Sequence, residues 1–379
     1  METTDLTSPS YWESERVDIR LNPRREIDAS GLRSFLESDC GVRSSVVMAT
    51  SGSTGSFKFV VLPKLALLHS ARAVVAHCGI VEEDVWLAGL SGFHVGGLGI
   101  YARGYVGGSR VAELLPGAWK RDGKLLVKST ERSGATLTSM TPTHLYDLVS
   151  HSVKAPSSLR GVLLGGGLIE PSMVAQAREL GWPVWASYGM TEACSQVATG
   201  LDGDVDHLAM LPIWEHRMAM GGRLAIRGEA LFSGYATKEQ GVWRFETGTD
   251  SEGWFVTGDR CEIEEKRLRF VGRSDDLVKV TGELVSLSAL NSLALGVAHD
   301  MGIDAAVVAV PDERRENELV LVVEATESDG ANLVQRLNRE LDGIERISRV
   351  VILDELPRTE IGKLDQPALR ELAAEIPEA

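Results

Sequence analysis

Between Met48 and Val61 the chain reads MATSGSTGSFKFVV, and the seven residues from Thr50 to Ser56 are all small or hydroxylated. Side chains this short let backbone N–H groups converge on an anion. The hydroxyls of Thr50, Ser51, Ser53 and Thr54, the open backbone at Gly52 and Gly55, and the following Lys58 suit a phosphate. The run follows the apolar SSVVMA and leads into VVLPKLALLHSARAVV, so it is expected between a buried strand and a helix. It lacks the G-x-x-x-x-G-K-[ST] spacing, because Lys58 stands between Phe57 and Phe59.

Further stretches carry groups for related chemistry. YGMTE, Tyr188 to Glu192, ends in a carboxylate, and a carboxylate just past a strand end in a phosphate site is a hard oxygen ligand for Mg²⁺. Thr257-Gly258-Asp259 reads as a turn, where Asp is common for local hydrogen bonding alone. Arg273 closes a hairpin ahead of the segment that runs to Ser286. ELPRTEIGKLDQPALREL leaves an apolar strand, is stiffened by Pro357 and turns at Gly362, which sets Lys363 on a constrained loop. An ammonium brought to a phosphate in this way stabilises developing charge, an effect worth about 10²–10³ in rate. Taken singly, each stretch has an ordinary alternative: a structural turn, or a solvated lysine or arginine.

Taken in order, TSGSTGSFK, YGMTE, TGD, GRSDDLVKVTGELVS and PRTEIGKLD resemble the signature of the adenylate-forming enzymes, the acyl- and aryl-CoA ligases with their luciferase and peptide-synthetase relatives. The resemblance covers nearly the whole chain from about residue 45. It implies that Thr50 to Gly55 and Lys58 hold the phosphates of ATP, that Tyr188 and Gly189 meet adenine over a floor of Gly165, Gly166 and Gly167, and that Thr191 contacts the α-phosphate. It further implies that Glu192 holds Mg²⁺, that Asp259 accepts from the ribose hydroxyls with Arg273 nearby, and that Lys363 is catalytic. Asp275 matches the hinge, and Lys279 and Gly282 match the loop that meets the pantetheine arm of CoA. Phe57 and Phe59 stand where the family usually has Pro and Gly, while Lys58 is retained. The implied reaction consumes Mg·ATP and CoA and proceeds through an acyl-adenylate.

For the acid, two features resemble the o-succinylbenzoate–CoA ligase branch, whose product leads towards menaquinone. About 49 residues precede the phosphate loop, a short N-terminal portion, and GFHVGGLGIYARGYVGGSRV carries His94 and Arg103 at matching positions. An arginine within an apolar, glycine-rich helix needs an anionic partner if it points inward. The resemblance therefore implies a diacid, with Arg103 on the distal carboxylate, Ser187 binding the substrate, and His94 both binding it and taking part in catalysis. Another aryl- or acyl-CoA ligase, or an adenylation module loading a carrier protein, is the alternative. His144, in SMTPTHLYDLV, reads as a polar helix residue.

These residues must be positioned by elements that the patterning already outlines. Short Val/Leu/Ile runs alternate with helical patterns from about residue 45 to 190, which argues for parallel sheet covered by helices, with functional loops at the carboxyl ends of strands. Gly- and Trp-punctuated hairpins follow to about residue 272, and then a smaller α+β composition. The expected fold is α/β: a large N-terminal body of parallel sheets with a β-rich subdomain over 1–273, a hinge at 274–276, and a small mobile C-terminal domain over 277–379. The formal charge of -15, from 54 acidic and 39 basic residues without a basic block, argues against nucleic acid and anionic membranes as partners. Cys40, Cys78, Cys194 and Cys261 have no metal-ligand spacing and read as reduced and structural. No leader pattern or long apolar window is present, so a cytoplasmic enzyme is expected. Association into a homo-oligomer stays open.

Overall fold

The computed structural model describes residues 5–51, 57–114, 122–274, 276–312, 314–359 and 364–376. The body is built on two sheets. One has 11 strands, and half of it is parallel, in the order Val184–Met190, Gly161–Leu164, Leu137–Met140, Val85–Ala88 and Arg110–Glu113. LTSM and GVLL are buried at every position, because helices cover both faces of a parallel sheet and leave no side for polar residues. The other half is antiparallel and continues from Ser195–Gly200 to the edge strand Glu215–Ala219.

The second sheet has five strands, Asp18–Arg20, Ser45–Ser51, Phe57–Pro63, Gly234–Glu239 and Val242–Thr247. Here the structure corrects one expectation. Residues 52–56 join two antiparallel strands, with Ser51 opposite Phe57 and Thr50 opposite Lys58, rather than a strand and a helix. The helix Lys64–His77 begins only after Pro63. The unusual aromatics explain the extra strand: Phe59 is buried and its ring meets Trp243 edge-on at 5.3 Å, so the ladder continues up to the loop.

The C-terminal part has its own core. A hairpin, Leu277–Val280 with Glu283–Ser286, leads into the helix Leu287–Asp300 and a sheet of Asp304–Asp312, Glu316–Glu324 and Arg349–Leu353. Ala305, Val307, Ala309, Leu319, Leu321 and Val323 face the helices Leu287–Asp300 and Glu327–Glu340. Ala306, Val308, Val310, Val320 and Val322 face the last helix, Gln366–Glu375. Successive side chains on a strand point to opposite faces, so a run such as AAVVAV needs cover on both sides. The four cysteines are free thiols, and among the described residues no helix is long and apolar enough to cross a membrane.

Candidate active site

The site is organised by one turn. The strand Val184–Met190 ends in the short turn Thr191–Ala193 and returns as Ser195–Gly200, with a register shift between Tyr188 and Gly189. A Cβ on Gly189 would lie 1.8 Å from the Ser195 carbonyl oxygen, so the hairpin closes this tightly only on glycine. Cys194 and Ser195 both have positive φ, at 52° and 129°, which is strain of the kind that clusters at functional turns. The turn sets Tyr188, Thr191 and Glu192 on one rim.

Two of these residues, Tyr188 and Glu192, are each held from a different strand. Tyr188 Oη donates to Asp259 Oδ2 at 2.6 Å, and Asp259 Oδ1 accepts from Arg273 Nη1 at 3.2 Å. Asp259 and Arg273 are direct cross-strand partners, which fixes that pairing through the sheet register. Burial, with the Asp259 charge beside it, pushes the Tyr188 phenol well above its usual range, so it stays a donor. Glu192 Oε1 accepts from Tyr235 Oη at 2.8 Å, and Lys58 Nζ lies 5.4 Å from the centre of the Tyr235 ring. Tyr235 therefore links a cation of the smaller sheet to a carboxylate of the larger one.

Behind the rim lies a cavity of about 170 Å³ whose lining includes His94, Arg103, Gly165, Gly166, Ser187 and Thr191. His94 precedes the helix Val95–Gly107, and Ser187 Oγ donates to the Leu164 carbonyl at 3.0 Å. Arg103 is only 1% exposed. Its Nη2 donates to Ser139 Oγ at 3.3 Å and its guanidinium carbon sits 4.6 Å from the centre of the Trp86 ring. Its Nε is buried without a hydrogen-bond partner, and so is Trp86 Nε1. Among the described residues no carboxylate pairs with Arg103. Burial lowers its pKa to about 10, which leaves it a cation at neutral pH. The arginine points inward, to a place where an anion would complete it.

The remaining expected residues fall in four groups. Thr50 sits on the strand opposite Lys58, and its Oγ1 donates to the Lys58 carbonyl at 3.4 Å. Gly167 is not among the cavity-lining residues and faces Pro142. Lys279 and Gly282 belong to the C-terminal hairpin, whose turn has positive φ at both Thr281 and Gly282. Gly52, Ser53, Thr54, Gly55, Asp275 and Lys363, with the side chain of Ser51, lie outside the described residues. Among those described, no group of three or more His, Cys, Asp or Glu forms a metal site. A Mg²⁺ that arrives on a phosphate substrate would need only one protein carboxylate, a hard oxygen ligand of the kind Glu192 carries.

Trp86, Ser139 and Tyr235 were not legible as site residues. Each acts through a contact between different elements, strand to helix for Trp86 and Ser139 with Arg103, and strand to turn, 43 residues apart, for Tyr235 with Glu192. His144 is structural: it closes a capping box with Thr141 at the start of the helix Pro142–Ser150, and burial, with the nearby Arg358 charge, lowers its pKa to about 3.

The sequence model of the AMP-binding enzyme family matches residues 42–236, and that of the AMP-binding enzyme C-terminal domain matches residues 295–363. A 2-succinylbenzoate–CoA ligase of Bacillus pumilus is 28% identical, over 96% of this chain and 77% of its own. One of Enterococcus faecalis is 31% identical, over 84% of this chain and 67% of its own. The solved structure of o-succinylbenzoate CoA synthetase (MenE) from Bacillus subtilis, in complex with the acyl-adenylate intermediate OSB-AMP, superposes with a TM-score of 0.71 at 26% identity, over 86% of this chain and 68% of that one.

Proposed function

The chain belongs to the AMP-binding enzyme family, and from that premise we propose that it is an ATP-dependent acid–thiol ligase that joins o-succinylbenzoate to CoA. In the first half-reaction a carboxylate oxygen of the acid attacks the α-phosphorus of Mg·ATP. The bond to the β-phosphate oxygen breaks, giving acyl-adenylate and pyrophosphate. In the second, the CoA sulfur attacks the acyl carbon, the bond to AMP breaks, and the thiol proton is lost. Both halves depend on positioning and charge neutralisation more than on covalent help from the protein.

The observation that carries the choice of acid is Arg103, a cation held at the cavity on Trp86 and Ser139 with no carboxylate partner among the described residues. A diacid supplies that partner with the carboxylate that is not adenylated. In this reading His94 and Ser187 orient the reacting carboxylate, and Thr191 meets the α-phosphate. Glu192, held by Tyr235, takes Mg²⁺, while Lys58 and the loop from Thr50 to Gly55 take the outer phosphates. Tyr188 stacks on adenine, and Asp259, fixed by Tyr188 and Arg273, accepts from the ribose. The body is taken to end at Arg273, with a hinge about Asp275; Lys363 serves the first half-reaction, and Lys279 and Gly282 the second. The demand for ATP and CoA suits the cytoplasm.

The test is AMP formation from Mg·ATP and o-succinylbenzoate, with and without CoA. CoA-dependent AMP release with a thioester product is expected, and at least about tenfold less turnover of benzoate, which lacks the second carboxylate. No AMP release, or indifference to the distal carboxylate, would overturn the choice of acid. Adenylation without transfer to free CoA would point instead to a carrier protein.

A further inference from the structure

The C-terminal domain touches the body through two residues of PRTEIGKLD that flank the lysine, Arg358 and Asp365, and through body residues outside the five motifs. Arg358 and Leu364 form a backbone bridge, and the Asp365 N–H donates to the Pro357 carbonyl at 2.9 Å, so the loop bearing Lys363 is closed at its base. One side of that base reaches the body through Arg358, whose Nη1 donates to Thr143 Oγ1 at 3.1 Å while its guanidinium also pairs with Asp304. Thr143 stands two residues beyond Thr141, which lines the cavity. The other side reaches the body through Asp365, whose Oδ2 accepts from Arg25 Nη2 at 3.1 Å. Asp365 Oδ1 is engaged separately, accepting from the Ala368 N–H at the start of the last helix.

We propose that Arg25, Thr143, Arg358 and Asp365 form a two-point clasp that docks the C-terminal domain on the body for adenylation and so positions the lysine loop. The proposal rests on the reading that this domain alternates between the two half-reactions. Alternation demands docking that is specific yet easily undone, since a domain held too firmly never reaches its second pose. The clasp has that character. Arg25 is 38% exposed and Asp365 23%, and pairs of this kind contribute little each because water competes for both groups. This exposed pair and the part-buried Arg358–Thr143 hydrogen bond hold the two described ends of the loop against the body. A third contact, the edge-on ring pair of His299 and Tyr146 at 5.9 Å, joins the helices Leu287–Asp300 and Pro142–Ser150 and involves neither end of the loop. The four residues are positioning residues, acting on the chemistry only through the loop they hold.

The test compares Arg25→Gln, Thr143→Val and Asp365→Asn with the unaltered protein in the two half-reactions measured apart. Asp365→Asn retains an oxygen for the helix cap and removes the charge. Each variant is expected to slow pyrophosphate release about threefold, and the Arg25→Gln/Thr143→Val double variant about tenfold, with thiolysis of supplied acyl-adenylate by CoA unchanged or faster. Equal losses in both halves would make these residues merely structural, and no loss in either would remove the clasp; both outcomes overturn it. A second measurement is independent of the substrate. Fluorophores at exposed positions of body and C-terminal domain, Lys154→Cys and Glu371→Cys in a Cys40→Ser background, report the docked distance. The double variant should lose part of that population, and an unchanged distribution would overturn the clasp even if o-succinylbenzoate proves to be the wrong acid.

Discussion

At Arg103 the folded body buries a charge beside a cavity and gives it a hydroxyl and an aromatic face but, among the described residues, no carboxylate. Desolvating a cation is costly, and stacking on Trp86 offsets only part of that cost. Arg103→Met keeps most of the volume and removes the charge. It is expected to leave thermal stability unchanged or raise it by about 1–2 kcal/mol, while raising KM for o-succinylbenzoate about 10- to 100-fold, the scale of removing one charged hydrogen bond. Thermal unfolding and steady-state kinetics check the pair of effects. A fall in stability with KM unchanged would instead mark Arg103 as a packing residue. This side chain was legible in the sequence because an arginine among Gly, Leu, Ile and Ala breaks the pattern of its helix. Trp86 and Ser139, its supports, sit in strands whose own patterns they obey, so nothing local distinguishes them.

Among the elements, the helix Pro142–Ser150 carries most at its first turn, which lies between cavity and clasp. Its start is fixed by the Thr141–His144 capping box, with His144 buried and neutral. The folded state resists protonating that ring until about pH 3, whereas an unfolded histidine takes a proton near pH 6.5. Below pH 6.5 the unfolded chain therefore binds a proton that the folded chain does not, and stability falls as pH drops from about 6.5 towards 3. Glutamine is a common partner at this position of a capping box, so His144→Gln keeps the cap and removes the titration. Between pH 7 and pH 5 the unaltered protein should lose about 2 kcal/mol more than the variant, read from denaturant midpoints at the two values. Parallel losses would show that His144 is not the titrating group. The strand–helix alternation of this region was readable from apolar runs and helical periods. The strand Phe57–Pro63 was hidden because its apolar run passes into the helix Lys64–His77 with only Pro63 between them.

For the molecule as a whole, a change of composition after residue 272 was visible in the sequence, and the apolar clusters beyond Val280 are separate from those of the body. How the two parts meet was not visible, because the contacts join residues 340 apart for Arg25 and Asp365 and 215 apart for Thr143 and Arg358. Each pair joins a residue of PRTEIGKLD to a body residue, Arg25 or Thr143, of an ordinary type that announces nothing until the fold brings the two together. The meeting matters because the described ends of the lysine loop lie against the body in a single pose, while the proposed reaction needs two. If Lys363 serves adenylation alone, Lys363→Ala should slow pyrophosphate release by about 10²–10³, the scale of removing one preorganised charge from the transition state. AMP release from supplied acyl-adenylate with CoA should stay within a few fold of the unaltered protein, since that step has no α-phosphate under attack by a carboxylate. Single-turnover assays of the two halves separate the effects. A matching loss in both would mean that one pose serves both steps, and the weak, partly exposed docking contacts would then have no alternation to permit.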